Sequence, residues 1–165
     1  MSLRLAKVLV LSGLAFYYTL VVFNNLFDFN SNYQFVRHVL MMDTTFAGNR
    51  GMGRAIYASW VHVAFYVGII AWELCLAVLT WYGASRLLSA RRARAGEFQA
   101  AKRVAVLALA LSLLLWLVAF LSVGGEWFLM WQSATWNGQQ AAFRNFAIAG
   151  IVLLFVAQAE PDGQS

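Results

Sequence analysis

The chain has 165 residues, of which 62% are hydrophobic and only 12% are charged. An ordinary soluble domain carries about 25% charged residues, so water is excluded as the solvent for most of this surface and a lipid bilayer takes its place. The net charge of +5 is compatible with nucleic-acid binding, but the basic residues concentrate beside apolar runs. We therefore expect membrane lipid as the acidic partner, and no nucleic acid.

The first apolar run extends from residue 5 to about residue 23 and is preceded by Arg4 and Lys7. This pattern resembles a secretory signal peptide, but the run is longer than the usual apolar region and no small-residue cleavage motif follows it. We interpret the run as a retained transmembrane helix.

Residues 24–55 are rich in Asn, Asp and Gly, which favour turns and helix caps over a continuous span. Apolar residues nevertheless recur there near helical spacing, namely Phe35, Val36, Val39, Leu40 and Met42. This pattern predicts a short helix that lies in the membrane interface and whose first turn is capped by Ser31 or Asn32.

Three further apolar runs cover approximately residues 56–82, 104–123 and 141–158. A spanning helix needs about 20 apolar residues, so each run can cross a bilayer. An aromatic connector, residues 126–138, separates the third run from the fourth. The sequence therefore predicts one all-α domain over residues 1–165: a four-helix transmembrane bundle with a short interfacial helix in the first outer loop.

The distribution of Lys and Arg predicts the orientation. The N-terminal tail and the loop between the second and third runs hold eight of these residues, and the opposite side holds four. By the positive-inside rule both termini are cytoplasmic, as expected for a multi-pass protein of the bacterial inner membrane. Arg91, Arg92 and Arg94 of the basic loop are interpreted as lipid-facing topology determinants, with a lipid or phosphate site as the alternative.

Glu73 is the most informative single residue. It precedes residue 82 by nine positions, which places it roughly 13 Å inside the cytoplasmic end of the second helix. An acidic side chain at that depth costs about 2.5–3.5 kcal/mol, so it should face the bundle interior. It could relay protons or contact a ligand such as a quinone. Alternatively, it is a structural carboxyl that bonds to neighbouring helices, where Ser12 and Ser112 lie at a similar predicted depth.

His62 precedes Glu73 by eleven residues, so the two side chains share one helix face about 16 Å apart. They could form a polar track through the membrane, or His62 could be an ordinary interfacial histidine. Haem ligation is not expected, because no second transmembrane histidine faces His62.

The outer face contains a second group of candidate residues. Trp127, Trp131 and Trp136 fit an aromatic belt at the headgroup level. A ligand or partner site is the alternative, because polar side chains crowd the same surface. These are Glu126, Gln132 and Arg144 from the connector and fourth helix, and Asp28, Arg37, His38 and Asp43 from the first outer loop.

Metal binding is not predicted. A site built from Asp28, His38, Asp43 and Glu126 is chemically feasible, but no motif spacing supports it. The single cysteine, Cys75, excludes an intrachain disulfide and a cysteine-based metal centre.

No Ser-His-Asp set, Walker loop or dinucleotide-binding motif occurs, so an enzyme is not the favoured class. The leading hypothesis is a non-catalytic accessory or assembly subunit of a membrane complex, linked to quinones and in contact with other membrane subunits. One alternative is a small proton-coupled transporter that uses Glu73. Another is a membrane enzyme that acts at the outer interface through Glu126 and Arg144. No resident cofactor is expected, and quinone or lipid are the candidate ligands.

Several stretches together resemble a bacterial family of predicted small integral membrane proteins, domain of unknown function 2165. The most specific is the tryptophan-rich string 124–133, and the others are 24–26, 32–46, 72–73, 136–140 and 143–144. The resemblance covers nearly the whole chain. It implies a bacterial inner-membrane location and brings no activity with it.

Overall fold

A computed structural model describes residues 2–160, in which all regular structure is helical. The elements are α1 (Leu3–Phe27), α2 (Phe29–Met41), a 3-10 turn (Arg50–Arg54), α3 (Ser59–Ser89), α4 (Ala95–Ala101), α5 (Arg103–Leu114), a π-helical segment (Leu115–Trp127), a second 3-10 turn (Met130–Gln132) and α6 (Gln139–Ala157). Four helical stretches are long and apolar enough to span a membrane: α1, α3, the run 95–127 and α6. The predicted all-α four-helix transmembrane bundle is confirmed.

The four long stretches form a closed bundle. α1 packs against α3, α3 against α5, α5 and the π-helical segment against α6, and α6 against α1. The shared core includes Leu11, Ala15, Leu76 and Leu109, all fully buried. This arrangement leaves the other face of each helix apolar and exposed, as expected where lipid is the solvent.

The helices extend further than the apolar runs at the basic loop. α3 continues to Ser89 and the next helix begins at Ala95, so only a short turn connects them. Leu87 and Phe98 are fully buried in the bundle core, so the buried apolar face of these helices extends beyond the charged residues. The sequence-based boundary was too short because Arg and Lys interrupt the apolar run without interrupting the helix. Arg91, Arg92 and Arg94 lie exposed in and beside the turn.

The predicted interfacial helix is present as α2, but its cap differs. The Asp28 carboxylate, rather than Ser31 or Asn32, caps the first turn by accepting from the Ser31 backbone N–H at 3.4 Å. Asp28 fills the N-cap position because α1 ends immediately before it, at Phe27. α2 buries Val36 and Leu40 against a cluster from α3 and the aromatic connector, so it covers one end of the bundle.

The two ends of the bundle have different chemistry. Both described ends of the chain meet at one of them, where Arg4 Nε lies 3.2 Å from Glu160 Oε2. We call this end, with residues 2–7, 90–94 and 158–160, the basic end. The opposite end carries α2 and connector residues 126–138, and we call it the aromatic end.

α3 and α5 approach each other closely at Gly83. A methyl group at this position would lie 3.0 Å from the Ala105 backbone N and Cα. Backbone atoms cannot move aside as a flexible side chain can, so the close packing of these helices requires glycine here. Gly68, on the same helix, has nothing within 4 Å of its would-be side chain.

Gly83→Ala should therefore destabilise the bundle by about 1–3 kcal/mol, because overpacking pushes α3 away from α5. Gly68→Ala is the matched control and should be neutral or slightly stabilising, because alanine is the better helix former. Thermal unfolding of both variants in the same detergent measures the difference. Equal stability of the two variants would contradict the close approach.

Candidate functional site

A cleft of about 270 Å³ lies inside the bundle between α1, α2, α3, the π-helical segment and α6. Its polar lining consists of Asn25, Asn32, Tyr66, Glu73 and Asn145, and aromatic side chains form much of the remaining wall. We call it the central cleft. Because these residues come from every long helix, the cleft exists only when the whole bundle is assembled.

Glu73 is 3% exposed and lines this cleft. Asn25 Nδ2 donates to Glu73 Oε2 at 2.5 Å, and the Tyr66 hydroxyl donates to the Asn25 backbone carbonyl at 3.0 Å. Within residues 2–160 the Glu73 carboxyl accepts this one hydrogen bond. In the same range no Lys or Arg lies close enough to form an ion pair with it. A buried carboxyl with one donor retains capacity for a further hydrogen bond.

The antiparallel register of α1 and α3 brings Asn25 to Glu73. Further along the same pair, Trp81 Nε1 donates to Thr19 Oγ1 at 3.1 Å. Sequence analysis placed Asn25 in a loop and Glu73 in mid-membrane, but the structure makes them neighbours. The reason is that α1 continues through Asn24 and Asn25 to Phe27.

Of the two serines expected at the depth of Glu73, Ser112 lies at that level, because the neighbouring Trp72 Nε1 donates to the Leu111 carbonyl at 3.2 Å. The Ser112 side chain is buried and hydrogen-bonds to the Tyr18 hydroxyl rather than to Glu73. Ser12 lies thirteen residues from Asn25 along α1, roughly 20 Å closer to the basic end. The depth estimate for Ser12 was wrong because α3 runs seven residues beyond residue 82, so the two helices do not end at the same level.

One N–H donor of the cleft lining lacks an acceptor within residues 2–160. Asn145 uses its Oδ1 to accept from the Tyr17 hydroxyl at 2.7 Å, which leaves its Nδ2 unused. An acceptor bound in the cleft would therefore pair with this N–H. The Trp116 ring also lines the cleft, but its Nε1 is buried beside the Tyr18 hydroxyl and has no hydrogen-bond partner within the described residues, so a ligand in the cleft does not reach it.

One wall of the cleft belongs to the π-helical segment, which contributes Trp116 and Phe120. Its wide turns are visible where the Phe128 N–H donates to the Val123 carbonyl at 3.0 Å. π-Helices are rare and occur frequently at functional sites. Sequence analysis missed this feature, because the apolar run alone gives no sign of its hydrogen-bond register.

His62 is buried but does not line the central cleft. Its Nε2 lies 2.8 Å from the Ile56 carbonyl, which can only accept, so this nitrogen carries the proton. Its Nδ1 has no partner within residues 2–160. The structure therefore places Tyr66 and Glu73 on the cleft and sets His62 apart from them.

The aromatic end brings together His38, Asp43 and Trp136. His38 Nδ1 lies 2.7 Å from Asp43 Oδ2, and the His38 ring stacks on Trp136 with a centroid distance of 4.7 Å and an interplanar angle of 8°. Asp28 caps the other end of α2, and Arg37 donates to Gln34 at 3.1 Å. No group of three side chains suited to a metal ion occurs in the described chain.

The remaining outer candidates make contacts between the two loops. Gln132 Oε1 accepts from the Phe46 backbone N–H at 3.1 Å, and Trp131 packs edge-on against the Phe46 ring. The Arg54 guanidinium lies over the Trp127 ring, with its Cζ 5.2 Å from the ring centroid. Glu126 and Arg144 are exposed, and in residues 2–160 no ion pair joins them. The contacts of Gln132, Trp131 and Trp127 pack the two loops against each other.

Sequence analysis also missed a charge cluster at the basic end. Lys7, Lys102 and Arg4 surround Glu160 at 2.7, 2.8 and 3.2 Å. Lys102 was assigned to the basic loop, yet it is buried. Burial alone would raise the pKa of the Glu160 carboxyl, but hydrogen bonds from Lys102, Lys7 and Arg4 outweigh burial and lower the pKa to about 2. The cluster fastens the end of α6 to α1 and α5.

The fold and the polar cleft define an integral membrane protein. The chain belongs to the family described as predicted small integral membrane protein, domain of unknown function 2165, whose model matches residues 3–159. This match confirms the resemblance that the tryptophan-rich string indicates. Neither a curated protein nor a solved structure matches the chain.

The Glu160 cluster should make the bundle sensitive to acid. Because the folded-state pKa of about 2 lies below the ordinary value of 4.5, its stabilisation is complete above pH 4.5 and is lost as the pH falls towards 2. Glu160→Gln should lower stability at neutral pH by about 1.5–3 kcal/mol, the value of a hydrogen bond to a charged group. It should also flatten the pH dependence in that window.

Unfolding of wild type and Glu160→Gln between pH 2 and 7 measures both effects. Glu97→Gln is the matched control, because Glu97 is exposed on α4 and outside the cluster. A Glu160→Gln profile that parallels the wild type would contradict the assigned role of this carboxyl.

Proposed function

We propose that the protein is a non-catalytic accessory subunit of a bacterial inner-membrane complex, and that it holds a membrane-soluble small molecule in the central cleft. The observation that carries this proposal is Glu73, a buried carboxyl with a single hydrogen bond that lines a cleft of about 270 Å³. Lipid makes such a group costly, so its retention at an open cleft favours a ligand-binding role.

The lining of the cleft favours binding over catalysis. Its polar side chains are one carboxyl, amides and a tyrosine hydroxyl. Covalent catalysis needs a nucleophile within hydrogen-bond reach of a base, and no such pair is found among these lining residues. His62 and the His38–Asp43 pair lie outside this lining.

The proposed orientation has both termini in the cytoplasm. Exposed Arg91, Arg92 and Arg94 at the basic end support it, because short loops rich in Arg remain on the cytoplasmic side. The aromatic end then faces outward, with Trp127 and Trp131 exposed at the headgroup level. Membership of a complex is supported by the small size of the described bundle, which has room for a ligand.

Purification from native membranes in mild detergent tests both parts of the proposal. Wild-type protein should retain a small molecule in roughly stoichiometric amount, together with partner subunits. Ala141→Phe should lose the small molecule, because Ala141 lines the cleft and a phenyl ring would occupy the space. Ile148→Phe is the matched control on the exposed face of the same helix, and it should retain the ligand.

Solvent extraction with mass spectrometry identifies the molecule, and protein mass spectrometry identifies the partners. Equal retention by both phenylalanine variants would contradict the cleft as the binding site. A solitary monomer that still carries its ligand would contradict only the accessory-subunit part.

A second candidate is proton-coupled transport through the cleft. It is favoured by the position of Glu73, fourteen residues from the start of α3 and sixteen from its end, which places the carboxyl near mid-membrane. Under a potassium diffusion potential, proteoliposomes should then take up protons, as measured by an enclosed pH-sensitive dye. Glu73→Gln should abolish the uptake because an amide cannot carry the proton, and exposed Cys75→Ser should not. Uptake unchanged by Glu73→Gln would remove this candidate.

A further inference from the structure

A second cavity adjoins the central cleft. It has a volume of about 230 Å³, lies between α2, α3 and the π-helical segment, and is almost entirely apolar. Phe35, Val36, Ile69 and Phe120 line both spaces. The two cavities are therefore neighbouring compartments of different polarity that share part of their lining.

The apolar cavity reaches the surface that faces lipid. Phe65 and Val118 are among its lining residues and are 43% and 48% exposed. They lie on α3 and on the π-helical segment, which flank the cavity. An apolar chain held there can continue into the surrounding acyl region, so the length of that chain is not restricted by the protein.

The central cleft specifies the polar part of the ligand. Asn145 Nδ2 has no acceptor in residues 2–160, so a ligand that presents an acceptor oxygen to it is favoured. Glu73 can accept from a hydroxyl, or donate to a carbonyl when it is neutral. A head group with oxygens at more than one position satisfies these groups.

The lining also discriminates against phospholipids. Neither cavity has Lys or Arg in its lining, and the central cleft contains the Glu73 carboxyl. A phosphodiester would be placed beside a carboxyl with no cation to neutralise it, which is unfavourable at low dielectric. The head group of the ligand is therefore uncharged.

A flat ring fits the volume and the walls. A cavity of about 150 Å³ already accommodates benzene, so the larger central cleft accommodates a substituted six-membered ring. Phe35, Tyr66, Trp116 and Phe120 line it with aromatic surface, against which a ring can stack.

From these observations we infer that the ligand is a quinone or quinol with an isoprenoid tail. The ring occupies the central cleft against Glu73, Asn145 and Trp116, and the tail occupies the apolar cavity and leaves between Phe65 and Val118. This inference rests on the proposed function and names the class of molecule that the cleft holds. It assigns binding alone, without electron transfer to the protein.

Decylubiquinone is a suitable probe, because it has the ring and a short apolar tail. Isothermal titration calorimetry with the purified protein in quinone-free phospholipid nanodiscs should show saturable binding, above the partitioning measured with empty nanodiscs. 1-Decanol has a similar tail without the ring and should bind at least about tenfold more weakly, a difference of about 1.4 kcal/mol.

Two variants separate the compartments. Asn145→Leu keeps the side-chain volume and removes the free N–H of the central cleft, and Ala119→Phe fills the apolar cavity that Ala119 lines. Each should weaken decylubiquinone binding about tenfold, or about 1.4 kcal/mol. Leu117→Phe lies on the same segment as Ala119, exposed and outside both linings, and should bind as the wild type does. The melting temperature of each variant confirms that it is folded.

Equal binding of 1-decanol and decylubiquinone, or no effect of Asn145→Leu, would overturn the quinone assignment. If decylubiquinone fails to bind while the protein purified from native membranes retains a different molecule that Ala141→Phe releases, the ligand class is wrong and the proposed function stands. If no molecule is retained and decylubiquinone does not bind, both are wrong.

Discussion

A carboxyl group on a membrane-spanning helix must be shielded from lipid by protein. The hydrogen bond from Asn25 to Glu73 contributes to this shielding. The contact joins the part of α1 near the aromatic end to the middle of α3. Together with the Trp81–Thr19 hydrogen bond, it therefore helps to fix the register of α1 and α3. The central cleft lies beside this contact, and the remaining helices complete its walls.

The two ends of the bundle contribute in different ways. At the basic end, three cations around Glu160 hold the end of α6 against α1 and α5, so the ring of helices is closed. At the aromatic end, α2 covers the cleft with Phe35 and Val36, which line both cavities. The central cleft is thus polar, and the adjoining cavity that opens towards lipid is apolar. An amphipathic ligand requires this combination of a polar and an apolar compartment.

The sequence was sufficient for the four-helix architecture because the length of a hydrophobic run responds directly to the thickness of the bilayer. It also identified Glu73 as buried, since a mid-membrane carboxyl has few alternatives. The sequence did not predict which residues of different helices lie next to each other. Asn25 was assigned to a loop because Asn commonly occurs in turns. Ser12 was placed too deep because helix ends were assumed to be level, and Lys102 was assigned to the basic loop although its side chain is buried. The π-helical register of residues 115–127 has no periodic signature in an all-apolar run.

A double-mutant cycle between Asn25 and Glu73 tests the central claim most directly. Unfolding free energies are measured in one detergent for wild type, Asn25→Leu, Glu73→Leu and the double variant. If the amide shelters the carboxyl, Asn25→Leu alone leaves a buried polar group unpaired, and the two substitutions should couple by about 1–3 kcal/mol. Additive effects, with a coupling energy near zero, would contradict the account.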